Sequence, residues 1–358
     1  MRTTDRGSRE RSTPRRVISI LTTLGLVTGM LAVGVQGAGA VVNTCRAKNV
    51  TQATRSRSDL QDVVDAAEPG DRIAVRFVCV GNFRIDKDLT LVGRPTPDLS
   101  RPVLTANGKG GTLMVAARVT LVNLKVVRGS RYSVANRGTL TLRRSLVRDG
   151  CQSSIVNRGA LTLRRSAVSN GYDASCDGIG GGISNYGTVT LYDTSSVRGN
   201  ANAYTGGGIY NAAGGTVTLN DSSSVRGNRA AFAGGIDNRG TLILNDSSSV
   251  SGNRAWDSGG IYNGTGATVT LSDASSVSGN RASDGSGGGS GGGISNYGTV
   301  TLRDSSSVSG NTADSGGGIL NDGGTVNVCD ETSLHQWVGA ISPNTPDDPP
   351  AVTPIPCT

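Results

Sequence analysis

The sequence is poor in the side chains that fill a compact core. Of its 358 residues, 4% are aromatic and 17% charged, with three Met, three Phe, two Trp and one His. A globule of this length would bury many large apolar side chains, so that architecture is not expected. Eleven prolines without a Gly-X-Y period exclude collagen, and the low charge density argues against disorder. The single histidine, His335, stands near Trp337 without partners for a metal cluster or a catalytic triad. There is no C-x-x-C, which removes the usual zinc and redox readings. Glycine is abundant instead, at 53 residues, about twice the usual share near 7%.

Residues 1–40 read as a signal peptide. Arg2, Arg6, Arg9, Arg11, Arg15 and Arg16 make a basic start, Val17 to Val35 is apolar apart from Ser, Thr and Gly, and Ala38-Gly39-Ala40 fits a cleavage site. Arg15-Arg16-Val17-Ile18 weakly resembles a twin-arginine signal. No second long apolar run follows, so the mature chain is expected to be secreted, with no membrane span. Cys45, Cys79, Cys151, Cys176, Cys329 and Cys357 remain after cleavage, and an even count in an exported chain favours disulfides. Six cysteines allow 15 pairings. Pairing sequence neighbours gives Cys45–Cys79, Cys151–Cys176 and Cys329–Cys357.

The strongest signal is an internal repeat. GGGISNYGTVTLYDTSSVRGN at Gly180–Asn200 returns with variations, and Ile183, Ile209, Ile236, Ile261, Ile294 and Ile319 recur 26, 27, 25, 33 and 25 residues apart. The 33-residue interval holds a Gly/Ser insertion, Gly285 to Gly293, read as a bulging loop. Upstream, Leu121, Leu142 and Leu163 recur at 21 residues. T-V-T-L alternates with period two, placing Val189 and Leu191 inward and Thr188 and Thr190 outward. Units this short and polar bury a core only by stacking. The pattern predicts an all-β, right-handed parallel β-helix over 91–334, with an N-terminal cap and first coil at 41–90 and a Pro-rich tail at 335–358.

Stacking would turn repeated residues into columns. Asn185, Asn211, Asn238, Asn263, Asn296 and Asn321 form one, and Asn200, Asn228, Asn253, Asn280 and Asn311 a second, at a left-handed turn after Gly. Ser58 to Gln61 reads as a capping box opening a short helix, placed to cover the coil end.

The repeat resembles that of right-handed, pectin-lyase-like β-helix proteins. Leu60 to Val75 followed by Asp88 to Gly93 looks like the usual N-terminal approach to that fold. Gly259-Gly260-Ile261 after Val250-Ser251-Gly252-Asn253 is similar to the passenger repeats of chlamydial polymorphic outer membrane proteins, with Val in place of their Phe. The resemblance implies an adhesin-like surface or matrix role. No β-barrel translocator is recognised in the sequence.

The charges are segregated. Residues 41–170 carry 22 basic and 9 acidic residues, net +13; residues 171–358 carry 7 and 16, net −9. Arg143, Arg144, Arg164 and Arg165 repeat at the 21-residue spacing and form a candidate stripe for an acidic polysaccharide or cell-surface component. Aromatics are too few to favour nucleic acid. Asp193, Asp221, Asp246, Asp273, Asp304 and Asp330 occupy one offset, read as Asx caps on the following Ser-Ser turns or as weak candidates for Ca²⁺. The G-x-G-x-x-G match at Gly287 to Gly292 lies in a Gly/Ser tract and reflects composition. No coil carries a distinct catalytic cluster, so a polysaccharide lyase or glycoside hydrolase stands as an alternative function without catalytic residues. A second alternative is an ice-binding face of T-x-T pairs at Thr188/Thr190, Thr216/Thr218, Thr268/Thr270 and Thr299/Thr301, interrupted by Ile243.

Overall fold

The computed structural model describes residues 44–107, 110–171, 180–202, 204–283, 285 and 288–329, and the backbone of 352–354. The proposed signal peptide, His335 and most of the tail lie outside the described residues. The fold is a right-handed parallel β-helix. Each coil gives one short strand to each of three sheets. In one coil, Ile183–Asn185 joins sheet 3, Thr188–Tyr192 joins sheet 1 and Ser196–Arg198 joins sheet 2; the chain then returns to sheet 3 at Ile209–Asn211. Sheet 1 has 13 strands, and sheets 2 and 3 have ten each. From Leu89–Gly93 to Thr325–Cys329, sheet 1 climbs roughly 45 Å at about 4.8 Å per rung.

Register follows the repeat. Ile183 pairs with Ile209, Val189 with Val217, Leu191 with Leu219 and Val197 with Val225, and all eight are buried. These columns are the core: a narrow apolar strip along the axis, fed by one Ile, three Val or Leu per coil. Burying each such side chain contributes about 1.5–3 kcal/mol, so small aliphatics suffice without an aromatic interior.

The corner between sheets 3 and 1 is held by a buried amide ladder. Asn185 Nδ2 donates to Asn211 Oδ1 at 2.8 Å, and the series continues through Asn238, Asn263 and Asn296 to Asn321. It also extends upstream through Asn136 and Asn157, which the sequence reading missed. The second ladder, Asn200 to Asn311, uses both groups of each amide. Asn228 Oδ1 accepts from the Asn200 backbone N–H at 3.0 Å and from Asn200 Nδ2 at 2.9 Å. The left-handed residue there is the preceding glycine: Gly199 and Gly227 have φ of 60° and 61°.

Gly-Gly before each Ile is a steric requirement. A Cβ on Gly235 would lie 2.4 Å from the Gly260 carbonyl oxygen and 2.8 Å from Asn253 Nδ2. The long repeat keeps this register too: Gly291 and Gly292 accept from the N–H groups of Gly259 and Gly260, so the insertion is absorbed between sheets 2 and 3.

The N-terminal end differs from the sequence reading. Helix α1 (Leu60–Asp65) has six residues and buries Leu60, Val63 and Val64. Its N-cap is Asp59, whose carboxylate accepts from the Gln61 N–H at 2.7 Å, not Ser58, so the expected capping box does not form. Nor does so short a helix close the coil end. The edge of sheet 1 is instead covered by β1 (Arg46–Asn49), antiparallel to β2 (Arg72–Arg76). The Cys45–Cys79 disulfide ties that segment to sheet 2. Cys151 and Cys329 are also disulfide-bonded; Cys176 and Cys357, their expected partners, lie outside the described residues. At the other end, Val352–Pro354 adds a parallel strand beside Thr325–Cys329.

Two substitutions test what holds the rungs. Asn238→Ala removes the acceptor of Asn211 Nδ2 and the donor to Asn263 Oδ1 in a buried corner, and is expected to lower stability by about 1–3 kcal/mol. Gly235→Ala is expected to cost about 1–3 kcal/mol through overpacking. Denaturant melts of both variants, with Thr270→Ala as an outward-facing control, check this; equal stabilities would contradict the ladder's role.

Candidate functional site

The corner between sheets 1 and 2 turns through one left-handed residue per coil. Asn123, Arg144 and Arg165 have φ of 53°, 51° and 49°, and Asp193, Asp221, Asp246, Asp273 and Asp304 have 59°, 55°, 55°, 55° and 53°. Asp and Asn tolerate this region because a short polar side chain can bond nearby backbone. The Asp carboxylates do not cap their own Ser-Ser turns. Asp221 Oδ2 accepts the Asp193 backbone N–H at 2.7 Å, Asp246 that of Asp221 at 2.8 Å, Asp273 that of Asp246 at 3.0 Å, and Asp304 that of Asp273 at 3.0 Å. Each carboxylate thus satisfies the coil before it, which offsets part of the repulsion of stacked charges. Among the described residues, no group of three or more His, Cys, Asp or Glu is placed to hold a metal ion. Asp330 lies outside the described residues.

The predicted arginines do fall on neighbouring rungs. Arg143 pairs with Arg164 in sheet 1, and Arg144 and Arg165 follow at the left-handed corner; all four are exposed. Two have intramolecular neighbours. The Arg164 guanidinium lies 4.0 Å above the Tyr192 ring, and Arg165 Nε stands 3.8 Å from Asp193 where the basic column meets the acidic one. Arg143 and Arg144 form no ion pair among the described residues. Positive charge crowds sheet 2 as well: burial, then Arg148, lowers the pKa of Lys125.

The other edge of the same strands is also basic, which the sequence reading did not resolve. Arg131, Tyr132, Arg137, Gln152, Arg158 and Tyr186 line a depression of about 400 Å³ on sheet 3 and its corner with sheet 1. The Arg158 guanidinium sits 5.0 Å above the Tyr186 ring. Further along this side, Tyr186 and Tyr210 have ring centroids 6.2 Å apart, and Tyr262 and Tyr297 5.5 Å. Arg239 lies 5.4 Å above Tyr210 and donates to buried Asp237, a hydrogen bond that raises its pKa. Burial pushes the Tyr210 and Tyr297 hydroxyls up. The signal in the sequence was positional: tyrosine recurs beside the ladder asparagines in Ile-Tyr-Asn and Asn-Tyr-Gly. An overall aromatic content of 4% hid that concentration.

The Asp column separates a structural role from a cation site. Asp246→Asn keeps a side-chain acceptor and a residue that tolerates positive φ, and is expected to change stability by less than about 0.5 kcal/mol. Asp246→Ala loses both and is expected to cost about 1–2 kcal/mol. Melting curves with and without calcium check this; a calcium-dependent rise in Tm that Asp246→Asn abolishes would instead mark a cation site.

Compared with known proteins, the chain matches no family model, no curated protein and no solved structure.

Proposed function

We propose that the chain is a secreted β-helix interaction module, adhesin-like, that binds an acidic polysaccharide through its basic N-terminal coils. The observation that carries the reading is the register that sets Arg143 on Arg164 and Arg144 beside Arg165. Forked guanidinium donors at rung spacing suit carboxylate or sulfate groups repeated along a polymer. The placement is also locally unfavourable. Arg at a left-handed position lacks the short polar side chain that makes Asp and Asn tolerable there, and stacked like charges repel. Residues that oppose folding point to a use beyond it. The pectin-lyase-like and chlamydial resemblances support a surface role through the β-helix architecture alone. A lyase or hydrolase is the alternative, whose site would fall in the least regular coils, from Leu91 to Cys176.

A second reading rests on sheet 1. Thr188, Thr216, Thr241, Thr268, Thr299 and Thr325 stand in one outward column. Thr90, Thr120, Thr141, Thr162, Thr190, Thr218, Thr270 and Thr301 stand in the next, interrupted by Ile243. Such a two-column threonine array is what an ice-binding face would need, and thermal hysteresis of the purified protein tests it directly.

For the main reading, Arg144→Asn with Arg165→Asn is the informative variant, because Asn123 already occupies this column. It is expected to weaken binding to polygalacturonate by about tenfold or more, at two charge-assisted contacts of about 1.5–3 kcal/mol each before competition with water. Wild-type binding should fall steeply with salt, since exposed charges are screened within about 8 Å at physiological ionic strength. Thermal stability should stay level or rise. Unchanged affinity would refute the stripe, and new reducing or unsaturated ends in the incubated polymer would favour the enzyme.

A further inference from the structure

The long corner between sheets 2 and 3 presents three exposed rings on three consecutive coils. Tyr204, Phe232 and Trp256 are 59%, 55% and 55% exposed, the three most exposed large hydrophobic residues described. Thr205 bridges Phe232 and Phe232 bridges Asp257. Tyr204 and Trp256 therefore hold one position two rungs apart, and Phe232 stands one residue further on in the rung between. Their backbone is fixed. The Phe232 N–H donates to the Tyr204 carbonyl at 2.7 Å, the Trp256 N–H to the Ala231 carbonyl at 2.9 Å, and the Tyr204 N–H to Asn202 Oδ1 at 2.7 Å. Ala230, Ala231 and Ala255, small residues of the same segments, are buried. Among the described residues, none of the three rings meets another ring or a guanidinium.

A basic band runs beside the rings. Arg229 bridges Arg254, and Arg254 pairs with Arg281. Across the turn at Gly227 and Asn228, Arg226 continues the band onto sheet 2, where it pairs with Arg198. None of these five forms an ion pair among the described residues, and all but the half-buried Arg198 are exposed. The acid beside Trp256, Asp257, accepts from Ser290 Oγ at 3.0 Å. The surrounding half of the chain has net charge −9, so the band runs against its background. Exposed aromatic surface and stacked like charge are each unfavourable, and both fall on one convex corner of the same coils.

We propose that this corner docks on an anionic lipid surface, with the rod lying along the membrane. Tyr and Trp favour the headgroup level of a bilayer, where an apolar ring body and a polar tip are both satisfied, and Phe adds apolar area. Three unlike rings on neighbouring rungs suit a fluid surface, which needs no pocket shaped for each. The guanidiniums beside them take headgroup phosphates in forked hydrogen bonds and gain from the negative surface potential. Peripheral attachment grows with buried apolar area and with attraction to anionic lipid together, and it needs no spanning segment. A protein partner would have to match five arginines with placed acids, whereas an anionic bilayer presents its charge everywhere. The proposal goes beyond the function above and rests on other residues, so either can fail alone.

Trp256 is its own reporter, because the chain has only two tryptophans. Residues 1–40 are themselves basic and apolar, so a readout local to Trp256 is needed rather than co-sedimentation. In the full chain carrying Trp337→Phe, vesicles of equimolar phosphatidylglycerol and phosphatidylcholine are expected to move Trp256 emission to shorter wavelength. Brominated acyl chains in the same vesicles should quench it. Vesicles of phosphatidylcholine alone should bind about tenfold more weakly or worse. Tyr204→Ala with Phe232→Ala should reduce affinity about tenfold or more, since apolar area is lost from the docking face. Arg229→Gln with Arg254→Gln and Arg281→Gln should remove the preference for phosphatidylglycerol. The Arg144→Asn, Arg165→Asn variant should keep the Trp256 response, which separates the two surfaces. An unmoved emission on saturating anionic vesicles overturns the proposal. So does an equal response to phosphatidylcholine alone, or full affinity in the Tyr204→Ala, Phe232→Ala variant. A shift on polyglutamate with none on vesicles would also overturn it and mark a protein-binding corner.

Discussion

The buried asparagine ladder is the constraint on which the rest depends. Backbone hydrogen bonds between parallel strands are generic and would accept a slipped register. A one-residue slip exchanges the inward and outward faces of a strand. The Asn136-to-Asn321 series forbids that slip, because each amide must find the next one in a corner closed to water. A displaced coil would leave buried amide groups unpaired on both sides. With the rungs locked, one residue type repeated in sequence becomes one chemical column in space. The threonine, aspartate and arginine columns all inherit their straightness from that ladder.

The left-handed corner shows how the same geometry is met in two ways. In the C-terminal coils, Asp221 to Asp304 accept the backbone N–H one rung back, so the turn and the inter-coil contact use one side chain. In the N-terminal coils, Arg144 and Arg165 hold the same backbone conformation without that bond. The change from acid to base along a single column is therefore not dictated by the turn. It coincides with the change in net charge between the two halves, and Arg165 facing Asp193 is the junction.

Much of this was legible because identity at a fixed period reads directly as vertical neighbours. The isoleucine anchors, the later asparagines, the inward Val189 and Leu191, and the register of Arg143 on Arg164 all followed from spacing. What was missed depended on partners that local sequence does not reveal. The Asp carboxylates bond to a coil about 25 residues away instead of the adjacent serines. The antiparallel β1 has no repeat character, so nothing in the period announced that it covers the edge of sheet 1. Asn136 and Asn157 sit in shorter, degenerate coils whose ladder role emerges only with the stack. Tyr204, Phe232 and Trp256 differ in residue type and fall 28 and 24 apart, so no column was visible.

Length variation concentrates at one corner, and this has a functional consequence. In the coils marked by Leu121 and Leu142, successive strands of sheets 1 and 2 stay paired while the return to sheet 3 is brief. In later coils the added residues lie between sheets 2 and 3, as between Arg198 and Ile209. The two asparagine ladders bracket that corner, so an insertion there leaves both registers intact. A substitution on sheet 1, by contrast, sits in a packed column and touches the rungs above and below. The corner between sheets 2 and 3 is thus the place where this solenoid can acquire bulky side chains at little cost to folding. The exposed Tyr204, Phe232 and Trp256 lie at that corner together with the column of Arg229, Arg254 and Arg281, while Arg143, Arg144, Arg164 and Arg165 lie at the edge of sheet 1. Insertion tolerance therefore accounts for the exposed Tyr204, Phe232 and Trp256 at that corner, whereas Arg144 and Arg165 hold a corner of fixed length between sheets 1 and 2, where the turn admits one left-handed residue per coil.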